Sequence, residues 1–174
     1  FHPQLVDDPL IFVEVALTGD IPRSIGEVLE PERAILPAQQ ATTAVFYSIS
    51  NCQEGLRGIS FGNFLIKQVA EDLKRELPGL DTFVTLSPVP GFARWLADIA
   101  KEPGDLVLTN EERSEMARPA GETISLDDAT KARRDKLLGQ MMAQYMLQAR
   151  TASGRVLDPV ARFHLGNGAR LERI

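Results

Sequence analysis

The sequence predicts an α/β fold, and three observations support this prediction. Three short segments rich in β-branched and aromatic residues have the composition of strands, at residues 10–17, 42–50 and 82–87. Between the second and the third, apolar residues recur every four positions from Phe61 to Leu77, which is typical of an amphipathic helix. A strand, a helix and a strand within about 45 residues predict a right-handed βαβ unit with parallel strands.

The first strand and the first helix are predicted from the residues at their ends. The strand at residues 10–17 ends at a turn formed by residues 18–20. Ser24 and Glu27 have the spacing of a capping box, in which each side chain accepts a hydrogen bond at the start of a helix. This spacing predicts a short helix that runs to Leu29.

Glycines and prolines mark the boundaries of the next elements. A loop with three glycines, residues 51–62, leads into the amphipathic helix, and residues 78–79 end that helix. Residues 88–91 break the third strand and begin a short amphipathic helix at residues 92–99. Residues 101–126 are polar and rich in Glu, Gly and Pro, which predicts a mobile surface insertion.

The last third of the chain predicts one long helix and a strand. Asp127 and Asp128 cap the helix, which ends near Arg150. We expect its apolar stripe to pack in the core or at an interface rather than to hold a cofactor; the stripe comprises Leu137, Leu138, Met141, Met142, Tyr145 and Met146. Residues 168–174 alternate between apolar and polar side chains, which predicts a strand that the sequence cuts short. We therefore treat the chain as part of a longer protein.

Composition and charge exclude several classes of protein. With 174 residues, 44% of them hydrophobic, the chain can bury the core of one globular domain. A net charge of -5 argues against a nucleic-acid-binding protein, so a polyanionic ligand must be held by local groups. The single cysteine, Cys52, excludes a disulfide framework, and no cluster has the spacing of metal ligands. No apolar run reaches the roughly 18 residues of a membrane span, and no signal peptide is evident, so we expect a cytoplasmic protein.

The glycine-containing loop is the first candidate site. Free backbone N–H groups and the helix dipole at the start of a helix attract anions, and glycines allow the backbone to approach a pyrophosphate. Arg57 within the loop could pair with a phosphate. The spacing matches neither the dinucleotide fingerprint nor the P-loop, so an ordinary turn remains an alternative.

Four single residues could carry chemistry. Ser87 closes a parallel strand, at the edge where ligands of α/β sheets gather, although a serine before proline is also a common turn former. His164 lies between apolar residues, where a histidine in the core is the alternative. Glu14 could be a buried base or a carboxylate facing water. We expect Cys52 to be a small packing residue rather than a nucleophile.

Five blocks of the sequence, taken together and in this order, resemble the malonyl-CoA decarboxylase family. They span nearly the whole chain except the polar insertion, and they read Pro-Leu-Ile-Phe-Val-Glu-Val-Ala-Leu-Thr at 9–18, Ala-Val-Phe-Tyr-Ser-Ile-Ser at 44–50, Gly-Asn-Phe-Leu-Ile-Lys at 62–67, Leu-Ser-Pro-Val-Pro-Gly-Phe at 86–92 and Asp-Pro-Val-Ala-Arg-Phe-His-Leu-Gly-Asn-Gly-Ala at 158–169.

The resemblance implies a fold and a set of site residues. It implies a mixed sheet with flanking helices, the N-acyltransferase-like (GNAT) fold with a polar insertion, as part of a catalytic domain that follows a helical domain and continues beyond residue 174. It implies that Ser87 and His164 are catalytic and contact the substrate, and that acyl-CoA is bound by Arg57, Gly58, Ile59, Ser60, Phe61, Gly62 and Asn63. Some relatives have an acidic residue in place of Ser60, so a role for that carboxylate cannot operate here.

The implied reaction is the conversion of malonyl-CoA to acetyl-CoA and carbon dioxide. It passes through an enolate, so it needs donors for the thioester oxygen and a proton donor for carbon, which we expect to be protonated His164. The thioester is itself the electron sink, so we expect neither an organic cofactor nor a metal, and we expect a homo-oligomer. The alternatives are an N-acyltransferase, with Glu14 as a base, and a non-catalytic acyl-CoA sensor.

Overall fold

The computed structural model describes residues 8–56, 61–101, 109–110, 113–114 and 127–174. They belong to two compact units, Phe1–Ser87 and Pro88–Ile174. Most of the predicted insertion at residues 101–126 lies outside the described residues. Across the described part of the chain, every helix is too short or too polar to cross a membrane.

The described residues of the first unit form an α/β structure built on a three-stranded mixed sheet. Its strands lie in the order β1-β2-β3, with β1 antiparallel to β2 and β2 parallel to β3. The parallel pair and the helix between its strands confirm the predicted strand, helix and strand arrangement. The elements are β1 (Ile11–Thr18), α1 (Ile25–Leu29), β2 (Thr43–Asn51), α2 (Phe61–Glu76) and β3 (Thr82–Thr85).

A capping box starts α1, as the sequence predicted. The Ser24 hydroxyl accepts a hydrogen bond from the Glu27 N–H, and α1 ends at Leu29. The Glu27 carboxylate returns to the backbone and accepts from the Arg23 N–H at 3.0 Å. In a standard box it would accept from the capping residue itself, so the return bond here lies one residue earlier.

Both faces of the sheet are covered, which places β2 in the centre of the first unit. On one face, α2 packs over a buried cluster formed by Ala41, Ala44, Phe46 and Leu80. On the other face, α1 contributes to a cluster formed by Ala16, Val28 and Val45. Because successive side chains of a strand point to opposite faces, a strand buried on both sides is apolar throughout. This explains the apolar run at residues 44–47 of β2.

A bulge interrupts the pairing of β1 with β2. Glu14 lies opposite Ser48, but the next residue, Val15, lies opposite Phe46, so Tyr47 is an additional residue in β2. Such an insertion bends the strand and increases its local twist, and it occurs often next to active sites. The second half of β2 therefore runs in a different direction from the first.

Among the described residues of the second unit, three helices have both ends defined, and two of them share a separate core. They are α3 (Phe92–Lys101), α4 (Asp128–Gln148) and α5 (Pro159–Gly166). Asp127 caps α4 as predicted, through its bond from the Thr130 N–H. The apolar stripe of α4 packs against α3 in a cluster whose buried residues are Leu96, Leu137 and Met141. The core interpretation of the stripe is therefore confirmed.

The prediction of a strand at residues 168–174 is wrong. The structure assigns no strand there, and His164 lies instead in the helix α5. Asp158 and Pro159 form a helix start, because aspartate caps a first turn and proline fits the first helical position. Alternation over a few residues indicates a strand only where a partner strand exists, and none of the described strands pairs with this segment.

We expect the core of the first unit to depend on Leu80, whose side chain is fully buried. Leu80→Ala should lower the free energy of unfolding by about 2–5 kcal/mol, because it removes apolar contacts and leaves a cavity. Leu29→Ala is the matched control, since Leu29 is 58% exposed. Chemical denaturation of the variants measures both effects, and equal losses would contradict the assigned core.

Candidate active site

The carboxyl ends of the parallel strands form the first part of the candidate site. The ladder between β2 and β3 ends where Phe46 lies opposite Thr85, and the Leu86 N–H donates one further bond to the Phe46 carbonyl at 2.9 Å. β2 continues from there to Asn51 beside β1. The described parallel pairing thus stops at the bulge, one residue before Ser87.

Ser87 lies where the sequence predicted it, just beyond the carboxyl end of a parallel strand. Its side chain is exposed, and Pro88 restricts its backbone to extended geometry. This edge of an α/β sheet is where ligands bind in open sheets. The position of Ser87 therefore fits a role in contact with a substrate.

The glycine-containing loop joins the same edge of the sheet to the start of α2. β2 ends at Asn51, a short turn follows at Glu54–Leu56, and α2 begins at Phe61 with Gly62 as its second residue. A helix of 16 residues presents free N–H groups and a partial positive charge at its first turn. Arg57, Gly58, Ile59 and Ser60, with the side chains of Phe61 and Asn63, lie outside the described residues, so their contact with acyl-CoA stays a prediction.

His164 is the sixth of the eight residues of α5 and is partly buried. Its ring meets the Phe163 ring edge-on, with 5.1 Å between the ring centroids. Its carbonyl accepts hydrogen bonds from the N–H groups of Asn167 and Ala169, which end the helix. Burial lowers the pKa of His164 below its usual 6.5, because the charged imidazolium loses solvation. Without substrate, the ring is therefore mostly neutral at pH 7.

A buried carboxylate at the start of α5 is the feature that the sequence analysis missed. Asp158 is 1% exposed, and one of its oxygens, Oδ1, accepts from the N–H groups of Val160 and Ala161 at 2.9 Å each. Its other oxygen, Oδ2, accepts from the Gly91 N–H and from the Tyr145 hydroxyl, both at 3.3 Å. The Asp-Pro pair signals a helix start, but nothing local in the sequence indicates the second pair of bonds.

Tyr145 joins this carboxylate to an aromatic cluster. Its ring lies 5.8 Å from that of Phe92 and 5.2 Å from that of Trp95, centroid to centroid. Burial, and then the negative charge of Asp158, raise the pKa of Tyr145 above its usual 10.0. The hydroxyl therefore keeps its proton at neutral pH and remains a donor to Asp158.

The remaining candidates do not extend the site. Glu14 is exposed on β1, which favours the carboxylate facing water over a buried base. Cys52 is exposed as well, so the expectation that it packs as a small buried residue is wrong. Within the described ranges, no group of three or more His, Cys, Asp and Glu residues could hold a metal ion. Ser87 and His164 belong to different units, and their meeting at one substrate stays a prediction.

Comparison with known proteins gives a consistent result. The chain matches the family model of the malonyl-CoA decarboxylase C-terminal domain over residues 1–174. It is 37% identical over 192 residues to mitochondrial malonyl-CoA decarboxylase of Anser anser anser, and 36% identical over 192 residues to that of Rattus norvegicus. These matches cover 99% of the chain but only 38% and 39% of the two relatives, so the chain spans about two fifths of their length.

Solved structures agree with this result. The crystal structure of malonyl-CoA decarboxylase from Rhodopseudomonas palustris is 60% identical, with a TM-score of 0.81 over 98% of this chain and 39% of that one. The enzyme from Agrobacterium vitis is 56% identical, with a TM-score of 0.87 over 99% of this chain and 42% of that one. At these identities, the likeness extends to sequence as well as to fold.

We expect that no residue larger than glycine fits at position 91 without a shift of its neighbours. A Cβ atom at this position would collide with the Tyr145 hydroxyl, so Gly91→Ala should lower the free energy of unfolding by about 1–3 kcal/mol. Tyr145→Phe removes the colliding oxygen, and adding it to Gly91→Ala should therefore recover part of that loss. Denaturation of the two single variants and the double variant measures this coupling. Strictly additive losses would contradict the close approach.

Proposed function

The chain belongs to the malonyl-CoA decarboxylase family, and on that basis we propose that the protein converts malonyl-CoA to acetyl-CoA and carbon dioxide. The observation that carries the proposal is the match to the family model over all 174 residues, together with 37% identity to a curated decarboxylase. The position of Ser87 beyond a parallel strand and the partly buried His164 supply two groups that this chemistry needs.

We propose that acyl-CoA binds on an N-acyltransferase-like (GNAT) framework. The mixed sheet and the order β2, loop, α2 and β3 support this proposal. The pyrophosphate of CoA would lie at the start of α2, where backbone N–H groups and Arg57 meet negative charge. The thioester arm would then run towards the end of the parallel ladder, which brings the malonyl group to the edge of the sheet that carries Ser87.

The reaction requires three contributions from the protein. As the bond between the carboxylate carbon and the methylene carbon breaks, its electron pair moves into the thioester carbonyl, so carbon dioxide leaves and an enolate remains. Donors must stabilise the enolate oxygen, one group must orient the carboxylate, and an acid must deliver a proton to carbon. We assign carboxylate orientation to the Ser87 hydroxyl and proton delivery to His164.

The lowered pKa of His164 constrains this assignment. A neutral imidazole is a poor acid, so proton delivery requires His164 to be protonated when the substrate is bound. Malonyl-CoA brings a carboxylate, and a nearby negative charge favours the charged form of histidine. In this mechanism the bound substrate itself raises the pKa of His164 and prepares the proton donor.

Carbon dioxide release from malonyl-CoA by the full-length protein tests the proposed function. An N-acyltransferase would instead transfer an acetyl group from acetyl-CoA to an amine, with Glu14 as the candidate base. A sensor would bind CoA and release no carbon dioxide. Measuring all three readouts on one preparation distinguishes the three functions.

We expect Ser87 and His164 to act together on one malonyl group. His164→Ala should lower turnover by about 10²–10⁴-fold, which is the usual contribution of a general acid, while CoA binding is retained. Ser87→Ala should also lower turnover strongly. The double variant should lose much less than the product of the single losses, because each residue depends on the other's positioning of the substrate. Multiplicative losses would show that the two residues act independently.

We also expect two different pH profiles. The profile of kcat/KM reports the pKa of free His164, and that of kcat reports its pKa in the substrate complex. Because the protonated form is the active one, both parameters should fall as pH rises, kcat/KM through a pKa below 6.5 and kcat at a higher pH. His164→Ala is the control. In this variant, neither the decrease of kcat/KM nor that of kcat with rising pH should be seen. An increase of kcat with rising pH would identify His164 as a base instead.

A further inference from the structure

We propose that Asp158 is a positioning residue for His164, because it ties the start of α5 to the first residues of α3 and to α4. This inference rests on the proposed function, since it assigns Asp158 a role in the same reaction. Asp158 lies at the other end of the helix from His164, and it acts on the reaction through that helix.

The two oxygens of the Asp158 carboxylate have separate functions. Oδ1 accepts from the N–H groups of Val160 and Ala161, which satisfies the first turn of α5. Capping a helix requires no more than this. Oδ2 accepts from the Gly91 N–H, just before α3, and from the Tyr145 hydroxyl of α4. The second pair of bonds therefore serves to join three helices.

Asp127 shows what an aspartate does when it only caps. It has the same position at the start of α4, but it is exposed, and its two oxygens both accept from Thr130, one from the N–H and one from the hydroxyl. Asp158, by contrast, is buried, and burial of a carboxylate is costly unless each oxygen has partners. The protein therefore keeps a buried carboxylate with two donors to each oxygen, where an exposed cap would suffice for the helix.

The length of α5 explains why this tie matters for His164. A helix of eight residues is about 12 Å long and is too short to be stable by itself, so its direction depends on its attachments. Asp158 is an attachment at its start, next to the bond from the Leu157 N–H to the Ala149 carbonyl at 3.2 Å. If that end shifts, His164 shifts with it, and a displacement of about 1 Å at a reacting group can cost on the order of 10²-fold in rate.

Asp158→Asn in the full-length protein separates the two functions of the carboxylate. The amide oxygen can still cap α5, since asparagine caps as well as aspartate. The amide nitrogen, however, would face the Gly91 N–H, which is also a donor, so the tie to α3 is lost. We expect kcat for carbon dioxide release to fall on the order of 10²-fold, with the dissociation constant of CoA nearly unchanged. Asp127→Asn is the matched control and should leave kcat unchanged.

A second measurement distinguishes positioning from loss of folded protein. In a His164→Ala background, Asp158→Asn should cause no further loss of kcat, because the group that it positions is absent. A purely structural role would lower activity by the same factor in both backgrounds, and that result would overturn the proposal. If Asp158→Asn does not fold, Tyr145→Phe serves in its place, since it removes one bond to Oδ2 and keeps the cap.

Tyr145→Phe should give a smaller loss of kcat that likewise vanishes in the His164→Ala background. Wild-type kcat in Asp158→Asn or Tyr145→Phe would also overturn the positioning role, while the proposed function would stand. Absence of carbon dioxide release from the wild-type protein would instead overturn the proposed function. The two failures are therefore distinguishable.

Discussion

The arrangement of the second unit depends on the hydrogen bonds that one buried carboxylate, that of Asp158, accepts. A carboxylate that is 1% exposed is stable only where donors replace its lost hydration. Asp158 obtains neutral donors from α4, from α5 and from Gly91, just before α3. The requirement constrains its neighbours. Gly91 must lack a side chain, Tyr145 must keep its proton, and α5 must start at Pro159. These residues are distant in sequence, and a single hydrogen-bonded group fixes their arrangement.

The first unit differs from the second, because apolar packing holds its elements in place. Clusters on both faces of β2 hold the strand, and the bulge at Tyr47 changes its direction where the pairing with β3 ends. A strand fixed on both faces cannot move easily, so the loop that follows β2 starts from a rigid support. Ser87 follows β3, which is paired with β2. Residues that orient a reacting group benefit from such support, since small displacements reduce rates strongly.

The sequence predicted the elements whose signals are local. Strands β1 to β3 were predicted within two residues of their ends, and the caps at Ser24 and Asp127 were predicted correctly. It did not predict the bulge, because a bulge depends on the register between two strands. It also did not predict the tie made by Asp158, because three of its partners are ordinary backbone N–H groups and the fourth, Tyr145, belongs to an apolar stripe. Strand register and burial arise from tertiary structure, and a local sequence pattern cannot predict them.

The protonation state of His164 depends on its burial, and the proposed chemistry depends on that protonation state. A permanently protonated histidine could donate a proton to any enolate, but its charge would have to be solvated in the empty site as well. Burial removes that solvation and lowers the pKa of His164, which favours the neutral ring. The malonyl carboxylate would then supply the missing counter-charge, and its loss as neutral carbon dioxide would leave the negative enolate as the new partner of the imidazolium. Proton transfer to carbon neutralises both charges at once, so a low-polarity site favours this last step over retention of the ion pair.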